Sequence, residues 1–345
     1  MKRKITINDI AEIAGVSKAT VSFYLNGKYE KMSEKTYLRI QKAIEETGYN
    51  PSVAARSLNA KSSHLLGVII GNITKPFANQ TVKGIEDFAD EHGYMTLVAS
   101  SEFKPEKEQS YIRSMLALGV DGFLIQPSIS FCDIHHELNI DKPIVFFDSA
   151  PPAEGIMYVK TDNYEAVKSA TKKLIRRGYE HFVILTYNPY VLQTRIERSK
   201  GCIDVLEENN IDYDQLVVPS DADAATVAAK LIPLLKNKEK VCVFALNSTL
   251  LQMAFTAMEP MRKHCPGVGL IGYDHEDWCD YVSPTISTIC QPTYEEGYTA
   301  ANILHNVLLE KKDTETVKVL KSTLLEQEST ALKAPAKRSG SKTRK

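Results

Sequence analysis

Residues 6–25 read TINDIAEIAGVSKATVSFYL, and this stretch decides the fold of the N-terminal part of the chain. Thr6 is a suitable N-cap for a helix whose apolar residues recur at helical spacing, namely Ile7, Ile10, Ala11, Ile13 and Ala14. Gly15 ends this helix, and Ser17 caps a second one that runs to Leu25. Two helices joined by so short a turn must cross steeply.

This arrangement predicts a helix-turn-helix unit. Ala11 is small where the helices touch, Gly15 makes the turn, and Val21 packs the second helix onto the first. A third helix over residues 33–48 completes a three-helix core through Leu38, Ile40 and Ile44. An ordinary helical bundle without a nucleic-acid role would show much the same pattern, so this alternative stays open at this point.

Charge is distributed unevenly along the chain. Residues 1–64 contain 11 Lys/Arg and 6 Asp/Glu, whereas the whole chain has 42 and 43, which leaves the remainder slightly acidic. A basic N-terminal segment suits a polyanion, because each phosphate that it neutralises releases condensed counterions. The charge distribution is therefore compatible with a nucleic-acid partner.

Length and composition limit the class of protein. A chain of 345 residues is too long for one ordinary core, and its 43% hydrophobic and 25% charged residues are typical of globular domains. The six cysteines contain no C-x-x-C pair and are expected to be reduced thiols. We find no signal-peptide core and no run of about 20 apolar residues, so we expect a cytoplasmic protein without a membrane partner.

A short run after the three-helix unit carries the most specific signal. Residues 53–61, VAARSLNAK, have fair helix propensity but few core-type side chains, so this helix would be marginal in isolation. The run resembles the hinge helix of the LacI/GalR family, and residues 6–11 and 15–22 resemble the headpiece of that family. The resemblance implies that two hinge helices pair on the minor groove, where Leu58 wedges between base pairs and kinks the DNA. A core leucine is the alternative reading of Leu58.

The predicted DNA-binding residues lie on the second helix, its flanks and the hinge. Lys18 can reach guanine edges or phosphate, and Ala19 can pack on a thymine methyl. Many family members carry arginine where this chain has Phe23, so its operator is expected to differ from the commonest family sequence. The complete predicted set is Thr6, Ser17, Lys18, Ala19, Thr20, Ser22, Phe23, Asn26, Tyr49, Asn50, Ala55, Arg56, Leu58 and Asn59.

Beyond residue 64, apolar strand-like runs alternate with helical stretches, as in residues 65–70, 122–125, 144–147 and 241–244. Such runs imply parallel strands that are buried on both faces, in a doubly wound α/β fold. Ligands of such folds bind beyond the carboxyl ends of the strands. Polar residues follow five of the runs and are candidate ligand groups, although a loop cap is the alternative for any one of them: Asn72, Gln126, Asp148, Asn247 and Asp274.

The family resemblance continues to about residue 330 and implies a two-lobed body like that of periplasmic sugar-binding proteins. It implies effector contacts from Arg198, Asn247, Asp274, Gln126 and Asp148, with Asn247-Ser248 standing where many members have Asn-Asp. Three cations near the lobe junction, Lys160, Arg195 and Arg198, would suit an acidic effector. For Lys160 and Arg195 the alternative is a solvated loop charge. The predicted effector-binding set is Asn72, Gln126, Asp148, Lys160, Arg195, Arg198, Asn247, Asp274 and Gln291.

The predicted organisation has four parts. They are a helix-turn-helix headpiece over residues 1–49, a hinge helix over 50–62, a two-lobed effector and dimerisation domain over 63–330, and a disordered basic tail over 331–345. Lobe 1 is expected to hold about residues 63–160 and 292–325, and lobe 2 about residues 161–291. No leucine heptad follows the body, so we expect a homodimer.

These features predict a sequence-specific transcriptional regulator, a repressor of carbohydrate or sugar-acid catabolic genes whose affinity for operator DNA is set by a small-molecule effector. Residues 27–36 and 147–150 resemble the branch of the family that regulates the use of keto-deoxy-gluconate and uronates. A solute-binding protein without a regulatory role is the alternative. We find no dinucleotide, phosphate-loop or nucleophile-elbow motif and no metal-ligand spacing, so we expect neither catalysis nor a cofactor.

Overall fold

The computed structural model describes residues 5–25, 27–49, 62–138, 140–151, 153–236, 238–259 and 267–332. The chain divides into two compact units. The smaller contains the N-terminal residues up to Leu65, and the larger holds most of the remaining chain. Each unit is built around its own apolar core.

In the N-terminal unit, the described residues 5–25 and 27–49 form three α-helices, α1 (Ile7–Ala14), α2 (Lys18–Leu25) and α3 (Glu34–Thr47). Thr6 and Asp9 form a capping box at the start of α1, because the hydroxyl of Thr6 accepts from the backbone of Asp9 at 3.4 Å and the Asp9 carboxylate accepts from the backbone of Thr6 at 2.7 Å. Gly15 ends the helix in the left-handed region with a φ of 60°. The predicted helix-turn-helix order is confirmed.

The core of this unit consists of six buried side chains, Ile10, Ala11, Ala14, Val21, Ile40 and Ala43. The prediction that Leu38 belongs to this core is wrong, because 55% of Leu38 is exposed. Residues two apart on a helix lie about 200° apart around its axis, so Leu38 and Ile40 cannot face the same core. The Arg39 guanidinium instead donates to the carbonyls of Ala14 and Gly15 and so ties α3 to the turn.

The larger unit contains two six-stranded sheets, each of which defines one lobe. The strands of lobe 1 are β1 (Leu65–Ile70), β2 (Met95–Ser100), β3 (Gly122–Ile125), β4 (Ile144–Phe147), β5 (Met157–Thr161) and β11 (Val317–Leu320). Those of lobe 2 are β6 (His181–Tyr187), β7 (Asp212–Val218), β8 (Val241–Ala245), β9 (Val268–Tyr273), β10 (Ser287–Cys290) and β12 (Thr323–Leu325). The strand order is β11-β5-β4-β3-β1-β2 in lobe 1 and β12-β10-β9-β8-β6-β7 in lobe 2.

Helices cover both sheets, which confirms the predicted α/β architecture. Lobe 1 carries α4 (Pro76–Glu91), α5 (Pro105–Leu118), α6 (Phe131–Leu138) and α12 (Thr293–Leu308). Lobe 2 carries α7 (Asn163–Arg176), α8 (Gln193–Glu208), α9 (Ala224–Leu235), α10 (Ser248–Met258) and α11 (Trp278–Tyr281). Where the register between strands is described, the pairing is parallel, except that β10 and β12 are antiparallel. Among the described residues, no helix combines the length and apolar character needed to cross a membrane.

Over the described residues 62–332, with their gaps, the chain passes between the lobes three times, once more than the sequence predicts. It leaves lobe 1 after β5, returns after β10, and leaves again after β11 to form β12. The prediction that residues 292–325 all belong to lobe 1 is therefore wrong for residues 323–325, which pair with β10 in the register Ile289↔Leu324. Antiparallel pairing with β12 satisfies backbone groups on one side of β10 that would otherwise lie at the edge of the sheet.

Helices α4 and α12 of lobe 1 approach each other at two glycines. A Cβ atom on Gly84 would lie 2.1 Å from the carbonyl oxygen of Tyr294, and a Cβ on Gly297 would lie 2.0 Å from that of Thr81. Real Cβ atoms do not come so close to backbone oxygen. The two glycines therefore permit a contact between the backbones of the two helices.

We expect Gly297→Ala to lower the free energy of unfolding by about 1–3 kcal/mol, because α4 and α12 would have to separate to admit the methyl group. Urea unfolding followed by circular dichroism measures this loss. Glu295→Ala, at an exposed position of the same helix, is the matched control and should change little. Alanine favours an isolated helix over glycine by about 1 kcal/mol, so a stabilised Gly297→Ala variant would show that the helices separate freely.

Candidate functional site

The outer face of α2 presents the residues that the sequence assigns to base contact. Lys18 and Ala19 are exposed, Ser22 and Phe23 are half-buried, and Val21 is fully buried on the opposite side. Ser17 lies just before the helix, and its hydroxyl accepts from the backbone of Thr20 at 3.1 Å. Ser17 and Thr20 therefore also hold the start of α2 in place.

Two further predicted DNA-binding residues have structural roles in the N-terminal unit. Thr6 closes the capping box of α1. Tyr49 packs against the core of the unit, and burial raises the pKa of its phenol. The remaining predicted DNA contacts lie outside the described residues, namely Asn26, Asn50, Ala55, Arg56, Leu58 and Asn59.

Two aspartates that follow strands occupy corresponding places in the two lobes. Asp148 directly follows β4 in lobe 1, and Asp274 directly follows β9 in lobe 2. Both have a left-handed backbone, with φ of 66° and 71°. Aspartate tolerates this conformation better than most residues, yet it remains uncommon outside glycine. Both carboxylates lie at the carboxyl ends of parallel strands, where ligands of this fold bind.

In lobe 1 a chain of hydrogen bonds orients Asp148. The amide nitrogen of Gln126 donates to Asp148 Oδ2 at 2.8 Å, and the backbone nitrogen of Gly71 donates to the carbonyl oxygen of Gln126, also at 2.8 Å. The backbone nitrogen of Asp148 donates to Glu296 Oε1 at 2.6 Å. Glu296 is fully buried, and its Oε2 has no hydrogen-bond partner among the residues that the structure describes. Glu296 is not among the site residues predicted from the sequence.

In lobe 2 the guanidinium of Arg198 occupies the centre of a second network. Its Nε donates to Asn163 Oδ1 at 2.7 Å, and its Nη1 donates to the carbonyl of Leu246 at 3.2 Å. The guanidinium also lies 3.7 Å from the centroid of the Tyr273 ring and 3.9 Å from Asp274 Oδ2. Arg198 is only 6% exposed, so these contacts replace most of its hydration.

Gln291 connects Asp274 to the end of β5. Its amide nitrogen donates to Asp274 Oδ1 at 2.5 Å, and its carbonyl oxygen accepts from the hydroxyl of Thr161 at 2.5 Å. Thr161 is the last residue of β5, directly before the chain enters lobe 2. The predicted residue Gln291 therefore links the orientation of Asp274 to a point where the chain passes between the lobes.

The buried acids of this site are shifted toward their neutral forms. Burial raises the pKa of Asp148 to about 6, although the charge of Arg198 and the hydrogen bond from Gln126 oppose the shift. Burial and the neighbouring Asp148 raise the pKa of Glu296 well above its ordinary value. Burial alone would lower the pKa of Arg198, but Tyr273, Asp274 and Asp148 together raise it. The guanidinium thus remains charged among acids of both lobes.

Four of the predicted effector residues make contacts other than those of the two networks around Asp148 and Arg198, namely Asn72, Asn247, Lys160 and Arg195. Asn72 accepts from the backbone and the hydroxyl of Thr74 at 2.9 and 2.7 Å, and Asn247 accepts from the backbone of Leu250 at 2.9 Å as the cap of α10. The oxygens of both asparagines therefore have the loop-cap role that was the alternative in the sequence.

Of the two remaining cations, Lys160 forms a half-buried ion pair with Glu197 at 2.7 Å. Arg195 lies 5.2 Å from the centroid of the Tyr187 ring and donates weakly to the carbonyl of Asn188 at 3.4 Å. Burial lowers the pKa of Arg195. The charge of Arg198 also lowers this pKa, whereas the charge of Asp148 raises it. Within the described ranges Arg195 has no ion pair, which leaves it able to accept an anion.

One direct contact between the lobes lies near the start of α4. The ammonium group of Lys75 donates to the hydroxyl of Thr249 at 2.8 Å. Four other residues of these contacts are likewise absent from the set predicted from the sequence, namely Lys75, Asn163, Glu197 and Tyr273. Only Tyr273 had a usable signal, since it stands directly before the predicted strand-end residue Asp274.

The sequence matches two family models. Residues 6–52 match the model described as bacterial regulatory proteins, lacI family, and residues 66–312 match a periplasmic binding protein domain. The HTH-type transcriptional regulator KdgR of Bacillus subtilis is 30% identical to this chain, with 87% of this chain and 91% of KdgR covered. This chain belongs to the LacI family. It is therefore a DNA-binding regulator of transcription.

Two further relatives and one solved structure are also similar to this chain. The ribose operon repressor of Bacillus subtilis is 30% identical over 90% of this chain and 94% of its own length. The PurR repressor of Aliivibrio fischeri is 28% identical over 87% and 90%, respectively. The crystal structure of the lac repressor dimer bound to operator has the same fold, with a TM-score of 0.82, 22% identity and coverage of 96% of this chain and 100% of that one.

Proposed function

We propose that this LacI-family regulator is a homodimeric repressor of carbohydrate or sugar-acid catabolic genes, and that a small molecule bound between its lobes controls its affinity for operator DNA. The observation that carries the proposal is the position of Arg198. Its guanidinium stands on lobe 2 against Asp274 and is electrostatically coupled to Asp148 of lobe 1. A ligand that changes the contacts of Arg198 would change the relation between the lobes.

The proposed effector is a polyhydroxylated molecule. Gln126, Asp148, Asp274 and Gln291 offer amide and carboxylate groups, which pair well with hydroxyls. Arg195, as a cation without an ion pair, suits a carboxylate and extends the proposed class to sugar acids. Solved structures of similar fold hold D-xylulofuranose in one case and cellobiose in another.

The regulatory step couples effector binding to operator binding. Two headpieces would contact a near-palindromic site, and residues 50–62 would be the segment through which the lobes act on DNA. The coupling is reciprocal, so DNA must change the affinity for the effector by the same factor. We propose that the protein acts in the cytoplasm and without catalysis.

The alternative of a plain solute-binding protein explains only part of the sequence. The match to a periplasmic binding protein domain over residues 66–312 fits both functions. The match of residues 6–52 to the lacI family model fits only the regulator. A solute-binding protein would bind sugar and would not bind specific DNA.

The proposal is tested by titrating the full-length protein onto fluorescent DNA from the promoter of its own gene, at moderate salt. The ligand probes are D-ribose, D-xylulose, cellobiose, D-galacturonate and 2-keto-3-deoxygluconate, each compared with no ligand. We expect specific binding and a change in Kd of about 5–150-fold with at least one probe, the usual range of such couplings. Failure to bind this DNA under every ligand condition would contradict the repressor function. Binding that no probe changes would contradict the proposed effector class.

A further inference from the structure

Two of the side chains on α2 that are predicted to contact bases are apolar, namely the exposed Ala19 and the half-buried Phe23. Ala19 and Phe23 lie four residues apart and therefore on the same side of the helix. Neither side chain donates or accepts a hydrogen bond, and both are of the type that packs on the C5-methyl group of thymine. This side of α2 is an apolar strip beside Lys18.

A cation stands against the end of that strip. The ammonium group of Lys31 lies 5.0 Å from the centroid of the Phe23 ring. Lys31 is the last residue of a short 3-10 helix, Tyr29–Lys31, that follows α2. This cation–π contact orients the ammonium group beside the ring. Because such a contact is weak at an exposed position, the donors of the ammonium group remain available to another partner.

Three tyrosines hold the 3-10 helix in this place. The ring of Tyr29 packs against Tyr24 of α2 and Tyr37 of α3, with centroids 5.8 and 5.1 Å away, and the rings of Tyr24 and Tyr37 are 4.9 Å apart. The backbone nitrogen of Lys28 also donates to the carbonyl of Phe23 at 2.9 Å. The backbone that carries Lys31 is thus fixed to both neighbouring helices.

We propose that Phe23 and Lys31 act as one specificity element in operator recognition. The ring of Phe23 contacts a thymine methyl group in the major groove, and the ammonium group of Lys31 contacts the phosphate beside that base pair. Phosphate contacts set the register of a protein on DNA, whereas contacts to base edges select the sequence. Lys31 would therefore determine which base pair the ring of Phe23 reaches.

The methyl contact is tested on the full-length protein with the promoter site that it protects from nuclease digestion. Each thymine of the site is replaced singly by deoxyuridine, which removes only the methyl group. We expect a loss of about four-fold in affinity at one position in each half-site, the value of one buried methyl group. Phe23→Ala should bind more weakly and should be insensitive to deoxyuridine at that position. The proposal is wrong if no position is sensitive, or if Phe23→Ala keeps the sensitivity of the original protein.

The phosphate contact is tested by the salt dependence of binding. Each phosphate contact contributes about 0.9 to the slope of log K against log salt, so Lys31→Met should reduce the slope by about 1.8 in the proposed dimer. Lys42→Met is the matched control, because it removes a lysine of α3 whose ammonium lies 3.7 Å from Glu46. Equal slopes for Lys31→Met and the original protein would overturn the role of Lys31. Both measurements are made under whichever ligand condition gives the tightest binding of the original protein. They compare variants under one condition, so their outcome does not depend on the proposed ligand response.

Discussion

Arg198→Met is expected to destabilise the two-lobed unit by about 3–5 kcal/mol, the usual cost of removing one partner from a buried ion pair. The substitution removes the donor to Asn163 and to the Leu246 carbonyl, and it leaves Asp274 without its guanidinium. Methionine fills much of the same volume, so the loss measures charge and hydrogen bonding more than a cavity. Urea unfolding of the full-length protein at neutral pH measures this effect.

Two further variants separate the causes. Asp274→Asn in the Arg198→Met background removes the orphaned carboxylate, so the double variant should be more stable than Arg198→Met alone. Arg176→Met, which removes an exposed arginine at the end of α7, should change stability by less than about 0.5 kcal/mol. Stability of Arg198→Met equal to that of the Arg176→Met control would show that the Arg198 network contributes nothing to the fold.

The same variant also bears on the proposed function. The headpiece belongs to a separate compact unit, so Arg198→Met should still bind promoter DNA wherever it remains folded. We expect it to lose the response to any probe that changes the affinity of the original protein, because the charge of Arg198 acts on both strand-end aspartates. A full ligand response in folded Arg198→Met would contradict that role.

Local signals account for what the sequence predicted correctly. The capping box of Thr6 and Asp9 and the left-handed Gly15 are decided by neighbouring residues, and so are the limits of α1. The apolar run of β4 followed by Asp148 indicates a buried parallel strand with a polar group at its end. Each of these features can be recognised within about ten residues of sequence.

Features that depend on distant residues could not be predicted in this way. Glu296 stands in the first turn of α12, where an acid ordinarily interacts with the helix dipole in water. Its burial results from the packing of lobe 1, and its partner Asp148 is 148 residues away. Lys160 is likewise neutralised by Glu197 on another element. The third passage between the lobes depends on an open edge at β10, which the residues of β12 alone do not indicate.

Glu296 also has a consequence for the pH dependence of stability. The folded protein holds the carboxyl of Glu296 in its neutral form, because burial and Asp148 raise its pKa well above 4.5. The pKa of Asp148 also rises, from 3.8 to about 6, so this carboxyl is mainly neutral in the folded protein only below about pH 6. An unfolded chain releases these protons at lower pH. At these two groups the folded state therefore binds more protons than the unfolded state, so their contribution to the free energy of unfolding should fall as pH rises above about 4.

Glu296→Gln is expected to remove the part of this loss that comes from Glu296. The amide oxygen of glutamine can still accept from the backbone of Asp148, and the side chain no longer ionises. We therefore expect the Glu296→Gln variant to be more stable than the original protein at pH 8, and to match it near pH 5.

Urea unfolding at a series of pH values between 5 and 8 compares the original protein with Glu296→Gln and with Glu295→Gln. Glu295 is exposed one residue earlier in α12, so its substitution controls for the loss of one acid at the start of the helix. If the curves for Glu296→Gln and the original protein run parallel, Glu296 ionises as easily when folded as when unfolded. If the free energy of unfolding falls more steeply with pH in the original protein and in Glu295→Gln than in Glu296→Gln, the loss comes from Glu296. Because Glu296 Oε1 accepts from the backbone of Asp148, the orientation of this strand-end carboxylate would then be maintained at the cost of a buried, protonated acid.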